Sequence, residues 1–108
     1  MAYDERLAAR IRALLAGERQ LAEKAMFGRR MFMVAGNLAV GVAGDELMVR
    51  VGVKARHEAL SQPHTRECNV SKRPMYDWVL VGGDGLADAE LDGWVRRGAV
   101  FARSFVKR

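Results

Sequence analysis

The chain has little of what small proteins use for covalent or metal chemistry. Its 108 residues include one cysteine, Cys68, and two histidines, His57 and His64. A single thiol cannot close an intrachain disulfide, so no disulfide framework is expected and a cytoplasmic, reducing setting is the natural one. His64 and Cys68 stand close in sequence, but a zinc site built on them would lack its third and fourth ligands. A nucleophilic Cys68 needs a base and an orienting group that no spacing supplies; a half-buried cysteine is the simpler reading. Gly82-Gly83-Asp84-Gly85 lacks the lysine and hydroxyl of a P-loop and the spacing of a dinucleotide fingerprint, so it reads as a turn. No carboxylate pair is placed by spacing in one cleft. The residues therefore point to no catalytic site, metal or cofactor.

Other absences narrow the class further. No apolar run approaches the roughly 18 residues of a membrane span, so no membrane role is expected. The charged start Met1-Ala2-Tyr3-Asp4-Glu5-Arg6 does not have the form of a signal peptide. Aromatic residues are only 7% of the chain, thin material for stacking on bases, and no helix-turn-helix or zinc-finger signature is present. There are two prolines. Pro63 is expected to end a short helix, and Pro74 argues against a central strand at that point.

What is present is globular. Hydrophobic residues make up 50% and charged residues 29%, and a chain of this length buries roughly 60–70% of its unfolded surface. A single domain over residues 1–108 is expected. Eighteen Lys and Arg against thirteen Asp and Glu leave a net charge of +5. The basic residues are spread along the chain, so a basic solvated surface is the plain reading and a phosphate-binding surface the alternative.

Periodicity supplies the elements. Asp4 is placed to cap a helix whose buried stripe is Leu7, Ala8, Ile11, Leu14 and Leu15, with Gly17 ending it. Glu23–Phe27 is short and ambiguous. Gly36-Asn37 and Gly44-Asp45 are then read as two-residue hairpin turns. They delimit three strands of equal length, Arg30–Ala35, Leu38–Ala43 and Glu46–Val51. This register pairs Met33 with Val40, Met31 with Val42, and Val42 with Leu47. One face then carries Met31, Met33, Ala35, Leu38, Val40, Val42, Leu47, Val49 and Val51, all apolar and suited to pack on helices. The other carries Arg30, Phe32, Val34, Ala39, Gly41, Ala43, Glu46, Met48 and Arg50, with Phe32 placed over Gly41.

A short helix is expected over Val53–Ser61, an irregular or weak edge strand over Arg66–Lys72, and a strand over Tyr76–Val81. That strand would show Trp78 and Leu80 on one face and Val79 and Val81 on the other. A last helix starts near Asp88, with a buried stripe of Leu91, Trp94, Val95, Ala99, Ala102 and Phe105. Adjacent strands joined by hairpins mean an α+β fold of two layers, an antiparallel sheet with helices packed on one side. The element order is α-β-β-β-α-β-β-α.

Three segments, Lys24-Ala25-Met26-Phe27-Gly28, Phe32-Met33-Val34-Ala35-Gly36-Asn37 and Leu47-Met48-Val49-Arg50-Val51-Gly52, resemble the N-terminal domain of the TfoX/Sxy competence-regulator family. Arg73-Pro74-Met75-Tyr76-Asp77-Trp78-Val79, Leu91-Asp92-Gly93-Trp94-Val95 and Phe101-Ala102-Arg103-Ser104 extend the likeness over nearly the whole chain. Arg29 and Lys72 stand where that family often has glycine. The resemblance implies a secretion-chaperone-like α+β fold in stand-alone form and a non-catalytic regulatory role. It implies work through a protein partner such as a transcription regulator, as the founding members do with the cyclic-AMP receptor protein. Homodimerisation is a further option.

Two functional surfaces follow as expectations. An interaction surface would be the mixed sheet face with Phe32, Val34, Gly41, Met48 and Arg50. The alternative, a nucleic-acid surface, would contact phosphates through Arg29, Arg30, Arg50, Lys72 and Arg73.

Overall fold

The first helix begins where its cap is. A computed structural model describes residues 3–26, 28–71 and 75–105. In it, an Asp4 carboxylate oxygen accepts from the backbone N–H of Arg6 at 2.9 Å and of Leu7 at 3.1 Å, which satisfies two donors that a helix start leaves open. Helix α1 spans Glu5–Leu14, and Leu7, Ala8, Ile11 and the following Leu15 are buried. Leu14, expected in that stripe, is 42% exposed. The contact line runs from Ile11 to Leu15, and Leu14 falls beside it.

Six strands follow: β1 Ala22–Met26, β2 Arg29–Val34, β3 Asn37–Ala43, β4 Glu46–Arg50, β5 Thr65–Glu67 and β6 Trp78–Val81. Helix α2, Arg56–Leu60, precedes β5. A 3-10 turn at Gly83–Leu86 and helix α3, Asp88–Arg103, close the chain. The strands form one antiparallel sheet in the order β1-β2-β3-β4-β6-β5. The ambiguous segment after Gly17 thus becomes an edge strand ahead of the expected meander. Phe27 and Pro74 lie outside the described residues.

The second hairpin has the register its turn demands. Ala43 pairs with Glu46, Val42 with Leu47 and Val40 with Val49, and Gly44 takes φ +59°. The first hairpin does not, and this corrects the sequence reading. Its turn is Ala35-Gly36 rather than Gly36-Asn37, with φ of +54° and +82°, the two positive values a type I′ turn requires. Asn37 is a strand residue. Its side-chain N–H donates to the carbonyls of Ala35 at 3.3 Å and of Ala102, on α3, at 3.1 Å. Val34 therefore pairs with Asn37 and Met33 with Leu38; the register then shifts, so that Phe32 pairs with Val40 and Met31 with Gly41. Ala39 is the extra residue of that bulge.

A one-residue slip turns every side chain of a strand to the opposite face. Phe32 and Val34, expected on the mixed face, are at 0% and 1% exposure in the main core. Met31 goes to the other face. The bulge at Ala39 keeps Val40 and Val42 on the core side in spite of the shift.

The fold is α+β in two layers. The helices meet one sheet face: Leu7, Ala8, Ile11 and Leu15, Ala59 of α2, and Leu91, Val95, Ala99 and Ala102 of α3 pack with Phe32, Val34, Val40, Val42, Leu47, Val49, Val79 and Val81. At Gly98 helix α3 comes so close to the bulge that an added Cβ would stand 2.5 Å from the Ala39 carbonyl oxygen. Trp94 is half-buried, and Phe105, beyond the helix end, is 47% exposed. In β6 the alternation is as expected, with Trp78 and Leu80 on the second face and Val79 and Val81 on the helix face.

Candidate interaction surface

Among the described residues, no helix packs on the second sheet face. Its central row crosses the sheet from edge to edge through paired residues: Lys24, Met31, Gly41, Met48, Leu80 and Arg66. Gly41 is the gap in that row. An added Cβ there would lie 2.4 Å from the Met31 sulfur, so Met31, not Phe32, lies over the glycine. Cys68, Val70 and Met75, from the stretch between β5 and β6, pack onto Met31, Met48, Trp78 and Leu80. They leave a groove of about 630 Å³, lined by Met26, Met31, Met48, Met75, Leu38, Trp78, Val70, Ser71 and Arg29. Its walls are almost entirely carbon and sulfur.

The structure divides the expected interaction residues. Phe32 and Val34 are core, for the register reason given above. Gly41 and Met48 are on this face, but Met48 is 1% exposed and serves as floor rather than contact. Arg50 lies at the margin. Its guanidinium sits 5.4 and 5.0 Å from the ring centroids of Phe101 and Phe105. It also donates to Asp77 at 3.4 Å and to the Leu38 carbonyl at 3.3 Å. The lining residues that sequence reasoning missed are Met26, Met31, Leu38, Val70, Ser71, Met75 and Trp78. The methionine excess was the signal available for them.

The residues of the phosphate-contact alternative do not share one surface. Successive strand residues face opposite ways. Arg29 turns to the groove side and donates to the Val70 carbonyl, whereas Arg30 lies 3.2 Å from Glu23. Arg50 is ion-paired with Asp77. Lys72 and Arg73 lie outside the described residues. Much of the other basic charge is tied up in pairs, among them Arg10–Asp88, Arg56–Glu67, Arg66–Glu46 and Arg97–Glu58.

Two further places could hold chemistry. Burial pushes the Cys68 thiol pKa up, against the opposing pull of a Val70 backbone hydrogen bond and of Arg29 and Arg66. That is the reverse of an activated nucleophile. The Cys68 thiol also lies 3.7 Å from the Met75 sulfur. His64 stands just before β5, against Gly85, in the lining of a hollow of about 560 Å³ bordered also by Glu58, Asp84, Glu90, Trp94 and Arg97. A hydrogen bond from Arg97 holds the Glu58 carboxylate pKa low. Among the described residues no three His, Cys, Asp or Glu side chains are gathered to hold a metal. No described helix is long and apolar enough to cross a membrane.

A family model described as the TfoX N-terminal domain matches residues 13–102, a span that runs from the end of α1 to the last turn of α3. No curated protein and no solved structure matches the chain.

Proposed function

We propose a function from one premise: this chain belongs to the TfoX N-terminal domain family. It acts as a non-catalytic interaction module in the cytoplasm, and it binds another protein, a transcription regulator being the partner class the family suggests. The working surface is the sheet face opposite the described helices. The observation that carries this reading is the groove of about 630 Å³, whose lining draws on four methionines, Met26, Met31, Met48 and Met75. Methionine is flexible and polarizable, and it suits surfaces that adapt to a partner's side chains. A fully packed sheet face would have no need of such a hollow, and interiors normally leave few voids of this size.

The test uses a neutral plug. Met26 lies on the edge strand and is half-buried, and tryptophan is well tolerated in strands, so Met26→Trp fills the groove mouth without unfolding the sheet. Tagged wild-type chain and Met26→Trp are used for capture from the native host, with partners identified by mass. A partner retained by the wild type and lost by the plugged chain is expected. If both chains retain the same proteins, or neither retains any, the groove is not the working surface.

A further inference from the structure

The charges on the groove face say what should occupy it. Glu46 at the start of β4 and Asp77 just before β6 do not line it, and both carboxylates are already engaged. Glu46 accepts from Arg66 in a two-pronged pair, one contact at 3.0 Å, and Asp77 is paired with Arg50. Lys24 and Arg29 have no carboxylate partner among the described residues. Lys24 pairs across strands with Met31, and Arg29 with Met26, so both belong to the groove side of the sheet. They are diagonal neighbours across β1 and β2, roughly 7–8 Å apart. Arg29 is also oriented. One N–H donates to the Val70 carbonyl at the groove's margin, which leaves the rest of its five-donor fork for a ligand.

We infer that the groove takes a short segment of a partner protein that carries bulky apolar side chains with aspartate or glutamate beside them. The apolar side chains enter among Met26, Met31 and Met75, and the carboxylates meet Arg29 and Lys24. The volume lies within the roughly 300–1,000 Å³ of ligand clefts, and a basic segment would be repelled by the same rim. Two separated cations suit two carboxylates on a peptide better than the single headgroup of an acyl anion. The inference rests on the interaction-module reading, and the experiment separates the two.

A display library of random peptides is selected against the full chain at low salt, and enriched peptides are titrated by fluorescence anisotropy. Three proteins are compared: wild type, the neutral plug Met26→Trp, and the double reversal Lys24→Glu/Arg29→Glu. The expected consensus is apolar with flanking Asp or Glu. Binding is lost in the plugged chain and weakened about tenfold or more by the reversal, the scale of a lost charge-assisted hydrogen bond. Peptides rewritten with lysine in place of the acids should then prefer the reversed chain. Apolar peptides without acids, blocked by the plug but indifferent to the reversal, would overturn the charge inference and leave the groove intact. Peptides indifferent to the plug would overturn the groove reading as well. A fluorescent medium-chain fatty acid that saturates the groove while no peptide does would replace the peptide with an amphiphile.

Discussion

At the residue scale, Gly41 and Glu23 carry separate jobs. Gly41 is buried in the middle of the second face, and the atoms a Cβ would meet are chiefly the far end of the Met31 side chain, with the Arg30 carbonyl at 3.2 Å. A thioether can swing away, and alanine is less costly than glycine in a strand by roughly 0.5–1 kcal/mol. Gly41→Ala should therefore change stability by less than about 1 kcal/mol in urea unfolding. It should nevertheless push Met31 into the groove and weaken whatever binds there. A large loss of stability would mean that the Arg30 backbone, rather than the thioether, sets the space.

Glu23 ties α1 to the sheet. It accepts from Arg12, one contact at 2.8 Å, and lies 3.2 Å from Arg30. Its pKa is lowered from the ordinary 4.5, first by the Arg12 hydrogen bond and then by the charges of Arg12 and Arg30. A carboxylate with a depressed folded pKa stabilises fully above its unfolded value and loses that contribution as pH falls through the folded one. The melting temperature of Glu23→Gln should fall below that of the wild type at neutral pH, and the gap should close as pH drops below 4.5. A gap that stays constant down to acid pH would show that the pair contributes through contact rather than charge.

At the scale of elements, the β2–β3 hairpin decides most. Its turn places Ala35, a residue with a Cβ, at φ +54°, a conformation that costs an L-residue about 1–2 kcal/mol. Asparagine tolerates it, and Asn-Gly is the preferred type I′ pair. Ala35→Asn should stabilise the protein by up to about 1 kcal/mol, read as a higher urea midpoint. Were the turn Gly36-Asn37, position 35 would be a strand end on the apolar face, and the same change would destabilise. The sign of the effect thus tests the register directly. Sequence reasoning reached the second hairpin correctly because only one alternation there gives an apolar set, Leu47 and Val49 against Glu46 and Arg50. In β2 both alternations are apolar, Met31 and Met33 or Phe32 and Val34, so either face fits a core and the pattern cannot choose.

At the scale of the whole molecule, β1 leaves its outer edge unpaired among the described strands. Such an edge invites a second copy. A two-fold antiparallel pairing of β1 centred on Glu23 or on Lys24, however, sets that charge against its own copy, and like charges directly opposite are destabilising. The edge should not self-pair, and light scattering should find a monomer at micromolar concentration. A dimer that persists in Lys24→Ala and is abolished by Met26→Trp would place self-association in the groove instead. The candidate site was only partly legible. Gly41, Met48 and Arg50 were read onto the sheet face that lies opposite the described helices. The groove itself depends on Cys68, Val70 and Met75 folding back from a segment with no regular period, and no local pattern announces such a return.

Sequence alone determined the class: a capped first helix, an amphipathic last helix, hairpin-joined strands, α+β layering and membership of the family follow from local periodicity, turn chemistry and ordered motifs. Tertiary structure decided which face of β2 is core. The deciding contacts join residues far apart in the chain, namely the Asn37 side chain on the Ala102 carbonyl and the Ala39 bulge beneath Gly98. With two apolar alternations of nearly equal burial value, the choice passed to those long-range contacts. It sent Phe32 inward and left the methionines to line the open face.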